Sequence, residues 1–104
     1  MKPINRDKVY IFFWGTNSKL GPSSESRRVD LFDTSDKALG SIYFYPPGAE
    51  IPNDFYRDGQ IFMHRPLSDY DDLVPFIQKS TGNVYFNFEG GEGNNYGYIT
   101  NHLY

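Results

Sequence analysis

The side chains with chemistry to offer are few, and they gather around one histidine. His64 is followed by Asp69, Asp71 and Asp72, and His102 stands near the end of the chain. An imidazole oriented by a carboxylate is a minimal general acid–base pair, so His64 with Asp69 defines a third-ranked reading, a small hydrolase. A zinc site needs three or four well-placed N, S or O ligands. With no cysteine and two histidines such a site would be carboxylate-heavy and weak, so no metal and no other cofactor is expected. The plainer reading is preferred: His64 ends a strand, and the aspartates form an acidic helix start that the helix dipole favours.

Other motifs carry less. Asp30, Asp33 and Asp36 recur at a spacing of three. Asp30 and Asp33 would point to opposite faces of one strand, whereas a glycosidase needs two carboxylates facing each other across a cleft. They read as solvated charges guarding a strand edge. Gly91-Glu92-Gly93-Asn94-Asn95-Tyr96-Gly97 has the look of a phosphate-binding loop, but it opens a strand. Without a helix N-terminus aimed at the anion the mechanism is missing, and a hairpin tip is the better reading. There is no cysteine nucleophile and no GxSxG, and half of the serines lie within 18–26. The chain is therefore expected to be non-enzymatic, with no catalytic residues.

Aromatic content is the feature that carries function. Nine Tyr, nine Phe and one Trp make up 18% of 104 residues, while all hydrophobic types together reach 38%. The core must then rest on a few large side chains, each removing about 150–250 Å² from water when buried. One short helix can cover only part of one sheet face. Ile11, Phe13, Ile42, Phe44 and Phe86 fall on the side taken as covered. Tyr10, Phe12, Trp14, Tyr43, Tyr45, Phe62 and Tyr85 form a second set. Either the sheet curls into a barrel that buries this set, or part of it is exposed and binds something. Tyr and Trp offer large contact area at low entropy cost, as in interface hot spots. Trp14, Tyr43, Tyr45, Phe62 and Tyr85 are thus the candidate partner-binding residues. The function expected is a non-enzymatic binding protein acting through protein–protein contact, inhibitor-like or antitoxin-like, or a homodimer. Next comes a small-ligand or carbohydrate-binding β domain, since exposed aromatics near Asn and Asp also suit sugar rings.

Charge narrows the partners. Thirteen acidic and ten basic groups give a net charge of −3, and the basic residues are scattered. Nucleic acid requires a basic footprint to neutralise phosphates, so it is not expected. The apolar run Val9 to Trp14 is far too short for a membrane span or a signal-peptide core. The absence of cysteine fits a reducing compartment, so a soluble, cytoplasmic protein is expected.

The elements that must position these residues form a single small domain over 1–104. It is α+β and β-rich, with about six mostly antiparallel strands in the order β-β-β-β-α-β-β, as a curved sheet or small barrel. Val9–Trp14, apolar at every position, suits a central strand buried on both faces. Residues 15–27 form the longest polar loop. Arg28–Asp33 alternates as a half-exposed strand, with Val29 and Leu31 on one side and Arg28 and Asp30 on the other. Gly40 ends a turn, and Ser41–Tyr45 returns with Ile42 and Phe44 on one face and Tyr43 and Tyr45 on the other. Ile51–Gly59 reads as a linker, with an Asp58-Gly59 turn signal and room for one helical turn from Pro52. Gln60–His64 is the fourth strand. Tyr70, Leu73, Val74 and Ile77 form an apolar helical stripe. A proline inside a helix costs about 3 kcal/mol, so Pro75 places the cap at Asp71 or Asp72, and Gly82 is the C′ residue. Val84–Glu89 and Tyr96–Thr100 form a hairpin. Pairing Phe88 with Tyr96 puts Val84, Phe86, Phe88, Tyr96, Tyr98 and Thr100 on one face.

Overall fold

The computed structural model describes residues 3–14, 26–91 and 94–101; the side chains of residues 13, 14, 91 and 94 fall outside that description, as does most of the expected polar loop. Seven strands and one short helix form a sheet-rich α+β domain. The strands are β1 (Tyr10–Trp14), β2 (Ser26–Phe32), β3 (Ala38–Tyr45), β4 (Phe55–Arg57), β5 (Gln60–Pro66), β6 (Tyr85–Gly91) and β7 (Asn94–Thr100). The helix, α1 (Tyr70–Lys79), follows a 3-10 turn at Leu67–Asp69. Five strands make a mixed sheet in the order β1-β2-β3-β5-β4, and β6-β7 stands as a separate pair. The sheet does not close into a barrel, because β1 and β4 end it as edges.

Alternation is clearest in β2 and β3. Val29, Leu31, Ile42 and Phe44 are essentially without exposure, and Arg28, Asp30, Tyr43 and Tyr45 alternate with them on the other face. β3 and β5 run parallel, aligning Ile42 with Met63 and Tyr43 with His64. Residues 46–59 make this possible, because they are long enough to carry the chain back to the starting end. That connection contains β4, which forms a hairpin with β5 through Asp58-Gly59, both at positive φ as a two-residue primed turn requires. The expected linker thus holds a strand, and no helical turn starts at Pro52.

Gly40 lies within β3 and does not end a turn. Its φ is +143°, and a Cβ there would stand 1.9 Å from the Ile61 carbonyl oxygen. The close approach of β3 to β5 depends on that missing carbon.

Three other expectations are corrected. β1 is an edge, with Tyr10 and Phe12 exposed at 48% and 43%. Its unbroken apolar run reflects a sheet whose second face is itself aromatic. The expected loop also ends earlier, since Ser26 and Arg27 are paired in β2 with Trp14 and Phe13. The hairpin register differs by one residue: Phe88 faces Gly97, and Tyr96 faces Glu89. A one-residue slip exchanges the faces of one strand relative to the other. Phe86 and Phe88 therefore share their side with Gly97 and Ile99, while Tyr96, Tyr98 and Thr100 lie opposite.

α1 keeps the predicted stripe: Val74 and Ile77 are buried, and Tyr70 and Leu73 pack against the core. Its start does not follow the prediction. The helix begins at Tyr70 with Asp69 at the cap, and Pro75 lies inside it. Proline leaves the Asp71 carbonyl without its helical donor, and Asp71 is exposed, so water can take that place. At the other end Ser80, in an extended conformation, is the C-cap, and Gly82 takes its positive φ two residues later.

α1 and the β6-β7 hairpin both cover the inner face of the five-stranded sheet. Tyr70 meets Phe44 edge-on at 5.3 Å between ring centroids, and the Arg27 guanidinium lies 4.2 Å over the same Tyr70 ring. Gly97 lies against Ile61 and Met63, and Phe88 against Tyr56. The N-terminal segment stitches the layers, its Ile4 amide donating to Val84 and its Asn5 amide to Phe32.

Candidate functional site

With both covering elements on the inner face, the residues that alternate outward form a second surface. Strand register arranges them in two rows. One runs Phe12, Arg28, Tyr43, His64 across β1, β2, β3 and β5. The other runs Tyr10, Asp30, Ser41, Phe62, Phe55 and crosses all five strands. Cross-strand neighbours lie close enough to interact. The Arg28 guanidinium sits 4.5 Å over the Phe12 ring and 3.0 Å from Asp30, which accepts a 2.6 Å hydrogen bond from the Ser41 hydroxyl. Farther along, Tyr43 stacks on His64 at 5.4 Å and Phe55 on Phe62 at 4.8 Å. A polar centre is flanked by aromatics on both sides, and Tyr10, Phe12 and Phe55 are the most exposed of these.

His64 is buried although it points outward, because the rings of Tyr43, Tyr45 and Phe55 surround it. Burial lowers its pKa below the usual 6.5, with the Asp54 carboxylate opposing and Arg65 reinforcing the shift. Nδ1 lies 3.5 Å from Asp54 Oδ1, too poorly aligned to count as a hydrogen bond. Burial also raises the Tyr45 phenol, with neighbouring Tyr43 adding to it.

Asp54 belongs to a different arrangement, one that joins the two sheets. It is buried, and its Oδ1 accepts the His64 amide at 2.6 Å, just past the end of the short β4 ladder. Its Oδ2 accepts Arg65 Nη1 at 2.9 Å and the Gly97 amide at 2.7 Å. Arg65 Nη2 in turn donates to the Gly97 carbonyl at 2.6 Å. One ion pair therefore satisfies both backbone groups of a residue on the outer edge of β7, as a neighbouring strand would. Gly97 suits the position because a Cβ would crowd Ile61 and Met63 at 3.1 and 3.3 Å.

The predicted residues divide. Tyr43, Tyr45 and Phe62 lie on the outer face. Trp14 closes β1 opposite Ser26, and its side chain is outside the described residues. Tyr85 is buried in the other sheet, bridged to Pro3, and does not join the outer face. His64 and Asp69 are not brought together. His64 points outward, while Asp69 lies beside Met63 and Arg65, whose side chains leave β5 on the inner face. His102 lies outside the described residues. Among the described residues no three His, Cys, Asp or Glu converge where they could hold a metal ion, and no helix is long and apolar enough to cross a membrane. Phe55, Asp54 and Arg65 went unnoticed in the sequence. For Phe55 there was a usable signal, because Phe-Tyr-Arg before Asp-Gly and Gln-Ile-Phe after it reads as a hairpin.

Comparison with family models, with curated proteins and with solved structures finds no match to the chain.

Proposed function

We propose that the protein is a non-enzymatic binding module acting through protein–protein contact, with the outer face of the five-stranded sheet as its contact surface. The observation that carries this reading is the pair of cross-strand rows, in which aromatics flank the Arg28–Asp30–Ser41 centre on the face away from α1 and the hairpin. Aromatic and arginine side chains around a few satisfied polar groups are what interface centres are made of. The reading includes a cytoplasmic setting, which a cysteine-free chain accommodates.

The test is a paired affinity capture from the native host with wild type and a Tyr10→Ser/Phe55→Ser variant, alongside sedimentation velocity of both. Both positions are at least 40% exposed and outside the buried core, so the variant should still fold cooperatively, with a midpoint lowered by the loss of the Tyr10–Phe32 and Phe55–Phe62 ring contacts. A specific protein retained by wild type and lost by the folded variant is the expected result. Identical captured sets, with both proteins monomeric, would remove the outer face from consideration. Self-association seen in wild type alone would make a second copy the partner.

A further inference from the structure

A cleft of about 420 Å³ opens on the inner side, where the start of α1 meets β5 and β7. Its apolar walls are Met63, Leu73, Phe76 and Ile99, and its polar groups are Arg65, Asp69 and Asp72. The volume lies within the range of sites for small organic molecules. The charges point to the kind of molecule. Arg65 is already neutralised by Asp54 and holds the His64 and Gly97 carbonyls, so it has little left for an anion. Asp69 and Asp72 stand three residues apart on one helical face, both exposed, and form no ion pair among the described residues. Asp69 ends the 3-10 turn with helical backbone angles, so its carboxylate makes no capping hydrogen bond to α1. The cleft thus combines an apolar wall with two exposed carboxylates that no cationic side chain among the described residues pairs with.

We propose that this cleft binds a small organic cation, an amine whose apolar body lies against Met63, Leu73, Phe76 and Ile99 while its ammonium meets Asp69 and Asp72. The site lies on the opposite side of β5 from the aromatic rows and does not depend on a protein partner there.

Phenethylamine is the probe, titrated into the full chain at neutral pH and low salt and followed by amide and methyl NMR. Its charge-reversed counterpart 3-phenylpropionate is titrated in parallel. For a fragment of this size the amine should bind with a dissociation constant on the order of 1 mM. Saturable shifts should centre on Met63, Leu73 and Ile99, and the carboxylate should give none there. Asp69→Asn/Asp72→Asn should weaken amine binding about three- to tenfold. Asp71→Asn removes the same charge from the same turn outside the cleft and should leave binding unchanged. The proposal fails if 3-phenylpropionate binds as well as the amine, if the double variant keeps full affinity, if Asp71→Asn weakens binding as much, or if no saturable shift appears at the cleft.

Discussion

A carboxylate taken out of water must recover its lost hydration from fixed donors, and Asp54 does so with two backbone amides and a guanidinium. Removing one partner of such a group exposes the rest of the network. In Asp54→Asn the charge opposite Arg65 disappears, and the amide NH2 has only donors to face on that side. We expect a loss of about 3–5 kcal/mol in urea unfolding, the usual consequence of breaking a buried pair. The same replacement at exposed Asp58 should barely change the midpoint. His64 supplies a second expectation. Its folded pKa lies below the unfolded value of 6.5, chiefly through burial. Above about pH 6.5 both states are neutral and the full stability is present; as pH falls from there toward the folded pKa, the unfolded chain binds the proton first and stability declines. Unfolding free energies at about pH 7.5 and about pH 5.5 should therefore differ more in wild type than in His64→Phe, and equal differences would dismiss the effect. His64 was visible in the sequence as the residue with chemistry, but its neighbour was not. Asp69 is nearer in sequence than Asp54, and only the β4-β5 hairpin decides which carboxylate approaches the ring.

Elements were legible where the pattern was local. The alternation in β2 and β3 and the stripe of α1 all follow from the spacing of apolar residues. Features that depend on long-range pairing were not legible. An apolar run such as Val9–Trp14 looks the same at a sheet centre as at the edge of a sheet with two aromatic faces. The one-residue hairpin slip is of the same kind, because several consecutive glycines and asparagines allow either register, and contact of Gly97 with Ile61 and Met63 selects one. Pro75 shows a local penalty overridden by packing. Starting at Tyr70 lets the helix place Tyr70 on Phe44 and bury Val74 and Ile77, and one carbonyl without a helical donor, on the exposed residue Asp71, is a tolerable cost. The cost should still be measurable. Pro75→Ala restores an amide donor to that carbonyl, partly offset by the greater freedom of the unfolded chain, and should raise stability by about 1 kcal/mol. A lower thermal midpoint would mean that the half-buried ring packs better than its backbone geometry suggests.

At the scale of the molecule, the two sheets raise the question of whether they are one folding unit. The aromatic pattern was compatible with a barrel or an open sheet, because both need side chains on two faces. The parallel β3-β5 pair that keeps the sheet open depends on a connection with no periodic signal. In the open arrangement the hairpin and helix are the only described layer over the inner face. A two-stranded hairpin alone is marginal in water, and so is a helix of ten residues. Neither has reason to survive undocking, since Val84 and Phe86 of the hairpin side and Val74 and Ile77 of the helix join the same core as Val29, Leu31, Ile42 and Phe44. The Asp54–Arg65 grip on Gly97 adds a polar link between the same two layers. Unfolding should therefore be a single event. In urea, intrinsic fluorescence should report the loss of aromatic packing, far-UV dichroism the loss of secondary structure, and hydrogen exchange at Phe86 and Ile99 the hairpin. The fluorescence and far-UV dichroism transitions should coincide, and the slowest hairpin amides should exchange with the global unfolding free energy. If those amides exchange well below that value in wild type, the hairpin opens by itself, and the shared core is not what holds the layers together.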